Sequence, residues 1–386
     1  MALKLKSFSH PDQLKRFQPE NLIRLLEPHR SFFEMKGFSL PGPNDGEIDL
    51  LALAGILAEP DEEMPSDFVE ALHLIEHLGN DEHYDDLLKL AAENGIEPAD
   101  DATAPDLAAQ IWLKNPQALE RKDREGLFEQ RKSFESFRAA DAESTIVADN
   151  IPADLGPLEE SLGSYFEEKK RGVGCRVIRK DSPGEVRFLV QHGQPCKREP
   201  SRKGPLSTCT FFRPEKTDIV VVDTAHNELR INASCKPDLR QYRELFGLHL
   251  FGDGQKFVYA EKYTLEPLRE HGEAALRCKD VEGIESVRLT QLEFDWGGAF
   301  EHVEKHAAVD LFKDMAVRQA KIPEQPIIRK AVFKVKLNGE KKARMVSIKA
   351  GNQAGYQRSG ECMLIEQWLW ARGFVLLGTK AYAEAA

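Results

Sequence analysis

The sequence predicts a multidomain α+β protein in three parts: an acidic all-α helical domain (1–145), a mixed α+β domain (146–325) and a small basic ββαβ module (326–386). Three observations support this order. Apolar residues recur at helical spacing in the first part, short β-branched and aromatic runs dominate after it, and two prolines mark a linker over 322–326. The length of 386 residues fits two or three domains of roughly 150 residues each.

The first domain is predicted to be a bundle of short helices. Apolar side chains at spacings of three and four surround Leu22, Leu53, Leu72 and Leu88. Glycine and proline residues separate these runs, as expected between helices. Residues 120–138 are predicted as a further, more polar helix whose buried side includes its phenylalanines.

The middle domain is predicted to contain several strands between two helices, 158–171 and 239–251. The strand-like runs are 175–178, 186–190, 208–212, 219–222 and 228–231. The last two flank a polar turn, which predicts a hairpin. Further along, 287–294 alternates like a strand, and 300–320 shows helical spacing.

The C-terminal module is predicted to begin with a β-hairpin. Apolar residues alternate with lysines over 330–337, Asn338-Gly339 follows, and a second run extends over 341–348. A glycine-rich loop over 351–360 then leads into a helix over 361–372. A third strand over 374–377 completes the ββαβ order.

The net charge of −11, from 53 basic and 64 acidic residues, is unevenly distributed. Between Asp61 and Leu107, fifteen acidic residues oppose one lysine, whereas from Pro326 onward eleven basic residues oppose four acidic ones. Such asymmetry predicts different partners for different parts of the chain. We expect a protein partner for the acidic helical domain and nucleic acid for the basic module.

Composition and cysteine usage predict a folded protein of the cytoplasm. The apolar fraction of 41% is ordinary, and apolar runs stay far below the about 20 residues of a membrane span. The first residues lack the apolar core of a signal peptide. Six cysteines without a CxxC pair favour free thiols over disulfides or a zinc ribbon.

Clustered basic residues in the C-terminal module predict a phosphate-binding surface, because cations near a polyanion release its counterions. Tyr356 is a candidate for stacking on a base. The candidate nucleic-acid-binding residues are Lys330, Lys334, Lys336, Lys341, Lys342, Arg344, Lys349 and Arg358. The competing interpretation is a solvated lysine-rich hairpin that resists edge pairing.

A candidate catalytic group lies on the hairpin of the middle domain. Asp218, Asp223, Glu228 and Arg230 form a pattern that resembles the D…ExK motif of restriction-type nucleases, in which carboxylates and a lysine hold Mg²⁺ and activate water. Arg230 stands where that motif has lysine. Lys236 or Lys262 could supply the missing amine in space.

Two histidine patterns are candidate metal sites, although the sequence favours no bound metal. His73, Glu76 and His77 match the H-x-x-E-H arrangement of zinc peptidases, in which two histidines share a helix face. The competing interpretation is that both histidines flank an apolar stripe.

The second pattern is His302, His306 and Asp310, which would share one face of a helix over 300–320. No cofactor is predicted. Gly172-Val173-Gly174 lacks the further residues of a phosphate-binding loop, and G-x-S-x-G is absent from the sequence.

Together these features favour a binding protein over an enzyme, without deciding between them. We expect a cytoplasmic macromolecule-binding protein, for example a nucleic-acid-contacting subunit of a bacterial anti-phage defence assembly. Two alternatives stay open: a metal-dependent nuclease or hydrolase, and a protein–protein interaction scaffold that binds no nucleic acid.

Overall fold

Helices build the first third of the protein, and one large antiparallel sheet with flanking helices builds the rest. The computed structural model describes residues 5–42, 47–99, 101–129, 132–141, 145–357 and 362–376, without the side chains of residues 129 and 132. The chain divides into two compact units, residues 1–127 and 128–386. The predicted mixture of helices and strands is confirmed. Among the described helices, none has both the length and the apolar character needed to span a membrane.

The first unit is helical. Its helices are α1 (Pro11–Leu14), α2 (Pro19–Leu26), α3 (Arg30–Met35), α4 (Leu50–Ala58), α5 (Ser66–Leu78), α6 (Tyr84–Glu93), α7 (Ala104–Lys114) and α8 (Pro116–Glu129). The predicted apolar stripes form its core, in which Leu26, Phe33, Leu57, Phe68 and Leu107 are fully buried. Burying each such side chain stabilises the fold by about 1.5–3 kcal/mol.

The second unit is built on strands. They are β1 (Lys132–Ala139), β2 (Cys175–Ser182), β3 (Glu185–Gly193), β4 (Lys197–Lys203), β5 (Leu206–Phe212), β6 (Glu215–Asp223), β7 (Glu228–Asn232), β8 (Phe257–Tyr259), β9 (Ile284–Asp295), β10 (Val303–Ala307), β11 (Ile327–Leu337), β12 (Arg344–Lys349) and β13 (Gln353–Tyr356). Its helices are α9 (Gly156–Glu168), α10 (Lys236–Phe251), α11 (Glu266–His271), α12 (Leu311–Val317) and α13 (Cys362–Ala371). Both predicted hairpins, β6–β7 and β11–β12, are confirmed.

Eleven of the described strands form one sheet, in the order β10-β9-β11-β12-β13-β1-β7-β6-β3-β2, with β8 also paired to β1. Strands β4 and β5 pair with each other outside this sheet. Strand β9 pairs with β11 over ten residue pairs. Residues on both sides of the proline-containing linker therefore share one sheet.

The two halves of the sheet pack their helices on opposite faces. Phe137 of β1 belongs to a core that includes residues of α9 and α10. Ala354, which pairs with Phe134 of β1, belongs to a core that includes residues of α13. Phe134 and Phe137 are three residues apart, so they project from opposite faces of one strand. Within the second unit, no apolar cluster of described residues packs on the face of β9–β13 that points away from α13.

The predicted helix over 300–320 is wrong. The segment contains strand β10 and the short helix α12, and Asp310 caps α12 by accepting a hydrogen bond from the Lys313 amide at 3.3 Å. Val303 and Ala307, which contribute to the helical spacing of 300–320, are exposed on the strand. Their spacing of four fits a strand face as well as a helix face, because four is a multiple of the strand period of two.

Two further predictions need correction. Residues 120–138 contain the end of α8 and strand β1, and both faces of β1 are buried because the strand is central in the sheet. After residue 326 the order is three strands and then a helix, since β13 lies in the predicted loop. Val375, in the predicted last strand, forms only an isolated bridge with Tyr263, and residue 377 lies outside the described residues.

Candidate functional site

A row of polar, mostly charged side chains crosses the face of β9–β13 that points away from α13 and continues onto β1. Directly paired positions on neighbouring strands place these residues side by side: Lys305, Glu293, Lys330, Lys349, Gln353 and Glu135. Lys330 is adjacent to Ala331 of the α13 core, so the row projects from the opposite face. A second row contains Arg288, Lys334 and Met345.

We call Arg288, Lys305, Lys330, Lys334 and Lys349 together the basic sheet face. It contains two cross-strand pairs of like charge, because Lys330 lies opposite Lys349 and Lys334 lies opposite Arg288. Like charges at directly opposed positions destabilise a sheet. The Glu293 carboxylate, 3.6 Å from the Lys330 ammonium, offsets part of this repulsion. Arg288, Lys334 and Lys349 form no ion pair with any described carboxylate.

Other predicted nucleic-acid-binding residues have local partners. The Lys336 ammonium donates to the Glu340 carbonyl, and the Arg344 guanidinium binds the Glu340 carboxylate through two nitrogens. Lys341 and Lys342 are exposed in the β11–β12 turn. Arg358 lies outside the described residues.

Tyr356 is not placed to stack on a base. Its ring is 1% exposed, and its hydroxyl donates to the Glu366 carboxylate at 2.5 Å. The sequence interpretation also missed Arg288 and Lys305. Arg288 lies on β9, whose alternation was recognisable, whereas Lys305 lies on β10, whose alternation was not. The order of the strands in the sheet brings both residues to this face.

Three of the four catalytic candidates come together in a buried charge cluster. The Asp223 carboxylate lies 3.6 Å from the Arg230 guanidinium and 2.9 Å from the His226 ring nitrogen Nδ1. The Lys262 ammonium lies 2.5 Å from the Glu228 carboxylate, as the sequence interpretation allowed, whereas Lys236 is exposed on α10. Each carboxylate thus already has a cationic partner.

Arg230 is the centre of this cluster. Its side chain is 4% exposed and contacts Glu185 of β3 directly, and its Nη1 lies 3.8 Å from the Glu366 carboxylate of α13. Burial opposes ionisation of Glu185, but the charges of Arg230 and Arg187 outweigh it and lower the pKa of that carboxyl. Glu185 and Glu366 were missed because they lie far from the hairpin in sequence. Each buried charge of the cluster thus lies next to an opposite charge, which is typical of an ion-pair network that supports the fold.

Asp218, the fourth catalytic candidate, belongs to a different group on the opposite face of the sheet. Its carboxylate accepts from the Tyr242 hydroxyl at 2.9 Å and contacts His192 at 3.1 Å and Lys216 at 2.6 Å. The His192 ring stacks on Phe166 with centroids 3.9 Å apart. The predicted D…ExK arrangement therefore does not assemble around Asp218.

The contact between Asp223 and His226 shifts both pKa values. Burial lowers the pKa of His226, but the hydrogen bond and negative charge of Asp223 outweigh burial and raise it above 6.5. Burial raises the pKa of Asp223, but Arg230 and His226 outweigh it and hold that pKa well below 3.8. The contact therefore favours the protonated form of His226 and the ionised form of Asp223.

We expect the stabilisation from His226 to disappear at alkaline pH. A raised histidine pKa stabilises the fold fully below the ordinary value of 6.5, and this is lost as pH rises through the folded-state pKa. His226→Gln should lower the free energy of unfolding by about 1–3 kcal/mol at pH 5.5, and urea titrations up to pH 9 should show the difference shrinking. His249→Gln is the control, because His249 contacts the neutral Ser161 hydroxyl. A difference that stays constant with pH contradicts the assignment.

The residues of the first metal candidate make other contacts. His73 and His77 share one face of α5, with parallel rings 6.1 Å apart, as predicted. However, the Glu76 carboxylate accepts from the Ser7 amide at 2.7 Å, and His77 Nδ1 lies 2.6 Å from Asp123. The hydrogen bond that His77 donates to the Asp123 carboxylate raises the pKa of His77.

The second metal candidate does not form, since its helix is absent. His306 lies on β10 and contacts Glu304 at 2.6 Å, while the His302 ring stacks on Trp296 with centroids 6.1 Å apart. Asp310 caps α12. Within the described ranges, no three His, Cys, Asp or Glu side chains are grouped so as to hold a metal ion.

The acidic stretch 61–107 lies on α5, α6, α7 and their connections. Part of its charge has local partners: the Lys36 ammonium contacts Asp61 and, at 2.7 Å, Glu63, and Lys122 contacts Asp86 at 2.7 Å. Asp106 is fully buried and accepts hydrogen bonds from Gln18, Asn21 and Gln110.

Of the predicted site residues, the structure brings Lys330, Lys334 and Lys349 onto one exposed face, and gathers Asp223, Glu228 and Arg230 in the interior. The residues of the first group are half-buried, whereas those of the second group are buried. The chain matches no protein-family model, and no curated protein matches it.

Proposed function

We propose that this protein binds nucleic acid through the basic sheet face. The observation that carries the proposal is the direct opposition of Lys330 to Lys349 and of Lys334 to Arg288. Such pairs cost stability in the free protein. A bound polyanion relieves that repulsion, because its phosphates neutralise both members of each pair. The counterions of the polyanion are released at the same time, which favours binding.

The accessibility of the face also supports the proposal. Arg288 and Lys305 are exposed, and Lys330, Lys334 and Lys349 are half-buried. Half-burial suits lysines, since a lysine can bury its apolar stem while its charged end reaches solvent. Cations on a flat sheet read the phosphate backbone and no particular base, so we expect binding with little sequence preference.

Neutralising one member of each opposed pair should weaken binding. We expect Lys334→Gln/Lys349→Gln to reduce affinity for a DNA or RNA probe on the order of 10-fold and to flatten the salt dependence by about two counterions. Fluorescence anisotropy over a salt series measures both quantities. The control is Lys279→Gln/Lys321→Gln, which removes two exposed charges elsewhere and should change neither.

Stability provides an independent readout. The same double variant should unfold at equal or higher urea concentration than the wild type, because the like-charge repulsion is relieved. Lower stability with unchanged affinity would assign these lysines a structural role and overturn the proposal. Mg²⁺-dependent cleavage of the probe by the wild type would favour a nuclease instead.

A further inference from the structure

Strands β4 and β5 form a two-stranded ribbon that extends outside the main sheet; we call residues 197–212 the β-ribbon arm. The arm is inserted between β3 and β6, which are themselves adjacent in the sheet. Its two strands pair over seven positions, which corresponds to a length of about 24 Å. Both strands are exposed along almost their whole length, and Leu206 near the tip is 70% exposed.

Positive charge covers both surfaces of the arm. Lys197 and Lys203 project from one surface, and Arg198 and Arg202 project from the other, because successive residues of a strand alternate. Among the described residues, no carboxylate forms an ion pair with any of these four cations. Glu199 is the single acidic residue of the arm. An exposed ribbon with this charge is complementary to a polyanion.

The base of the arm is fixed to the body of the unit. The Arg213 guanidinium donates to the carbonyl of Lys170 at 2.8 Å and to that of Gln194 at 2.9 Å. The Gln194 amide donates to the Pro214 carbonyl at 2.8 Å. Gly193 permits this close packing, since a Cβ there would lie 2.1 Å from the Arg171 carbonyl oxygen. Because its base is fixed, the arm has a restricted orientation before binding, so less conformational entropy is lost when it binds.

We infer that the β-ribbon arm inserts into the major groove of a B-form DNA duplex. That groove is about 12 Å wide and admits a two-stranded ribbon. The deep, narrow major groove of an A-form RNA helix does not admit side chains. Cations on both surfaces match the phosphate backbones on the two sides of the groove, while Pro205 and Leu206 at the tip suit thymine methyl groups. The inference rests on the proposed nucleic-acid binding and names duplex DNA as its substrate.

The test compares three probes of equal length: a DNA duplex, an RNA duplex and single-stranded DNA. Arg198→Gln/Arg202→Gln should weaken binding to the DNA duplex on the order of 10-fold and flatten its salt dependence by about two counterions. Affinity for the other two probes should change no more than in Lys279→Gln/Lys321→Gln. Equal losses on all three probes, or no loss on the DNA duplex, overturn the inference.

Native cysteines provide a second measurement that needs no variant. Cys196 is exposed at the base of the arm and Cys209 is half-buried within it. Duplex DNA should protect both from alkylation by iodoacetamide, as read by mass spectrometry. Cys235, outside the arm, should react at the same rate with and without DNA. Unchanged alkylation of Cys196 and Cys209 at saturating DNA would contradict insertion of the arm.

The two proposals fail in different ways. Loss of DNA binding in Lys334→Gln/Lys349→Gln but not in Arg198→Gln/Arg202→Gln overturns the arm and supports the basic sheet face. The reverse result supports the arm and overturns the basic sheet face. A wild type that binds none of the three probes overturns both.

Discussion

Arg230→Met should lower the free energy of unfolding by about 3–5 kcal/mol, which is the usual cost of leaving buried charges without their partner. Methionine approximates the length of the arginine stem but removes the guanidinium. Asp223 and Glu185 would then lose the cation that they share. Urea unfolding at pH 7, followed by circular dichroism, measures the difference.

The deficit should shrink as the pH falls. Without Arg230, the pKa values of Asp223 and Glu185 should rise, because burial still raises both and the largest charge that opposes burial is gone. Groups with raised carboxyl pKa values bind protons in the folded state, so acidification favours folding of the variant relative to the wild type. We expect the gap at pH 4.5 to be clearly smaller than the gap at pH 7.

Arg187→Met is the matched control. Arg187 also contacts Glu185, at 2.9 Å, but its side chain is 20% exposed and the carboxylate keeps Arg230. Its loss should cost roughly 1 kcal/mol, which is typical of a partly solvated pair. Equal effects of the two substitutions would show that burial of Arg230 does not decide the energetics of the cluster.

Trp368→Ala should destabilise the second unit by about 3–5 kcal/mol, as large-to-small substitutions of buried aromatic residues do. The indole is fully buried and packs against Phe333 and Phe374, with centroids 5.3 and 5.4 Å away. Its nitrogen donates to the Arg277 carbonyl at 3.1 Å. Removing it leaves a cavity in the core under β11 and takes away the hydrogen-bond donor of the Arg277 carbonyl.

Trp370→Ala provides the comparison within the same helix. Two residues apart on α13, the tryptophans cannot both face the core, and Trp370 is only partly buried against it. We expect its replacement to cost less than half as much in thermal or urea unfolding. A similar loss for both would indicate that α13 packs through more of its circumference than the burial of its residues implies.

Elements with a strong local period could be predicted from the sequence. The stripes of α2, α5 and α6, the alternation of β11 and the Asn338-Gly339 turn depend on neighbours within a few residues. Gly339 has a φ of +78°, which is the left-handed conformation that this turn requires and that glycine adopts without strain. Gly373 after α13, with a φ of +73°, confirms the predicted helix end.

Two strands, β1 and β4, escaped prediction, because β1 has two buried faces and β4 has none. β1 buries Phe134 on one face and Phe137 on the other, so its apolar pattern lacks the alternation of a half-exposed strand. Residues 197–203 contain hardly an apolar side chain, because β4 is exposed on both faces. Neither segment offers a periodic signal, although its pairing is regular.

The candidate sites were predictable only in part, for a related reason. Lys330, Lys334 and Lys349 follow from the hairpin alone, but Arg288 reaches the same face through the pairing of β9 with β11. Asp223 and Arg230 lie within one hairpin, whereas Glu366 joins them from α13. A single sequence indicates residue types and their local spacing. The residues that join a site from distant parts of the chain are known only from the tertiary structure.

The central position of β1 has a consequence for how the protein folds. The strands and helices between residues 132 and 259 form one half of the sheet with its own core, and those after residue 266 form the other. Glu135 pairs with Gln353, more than 200 residues later. During synthesis the first half can fold before β13 has been made, so that part of the β1 edge is still unpaired. An unpaired strand edge can pair with other chains. We therefore expect the joining of the two halves to be the slow step of folding, because a long loop must close.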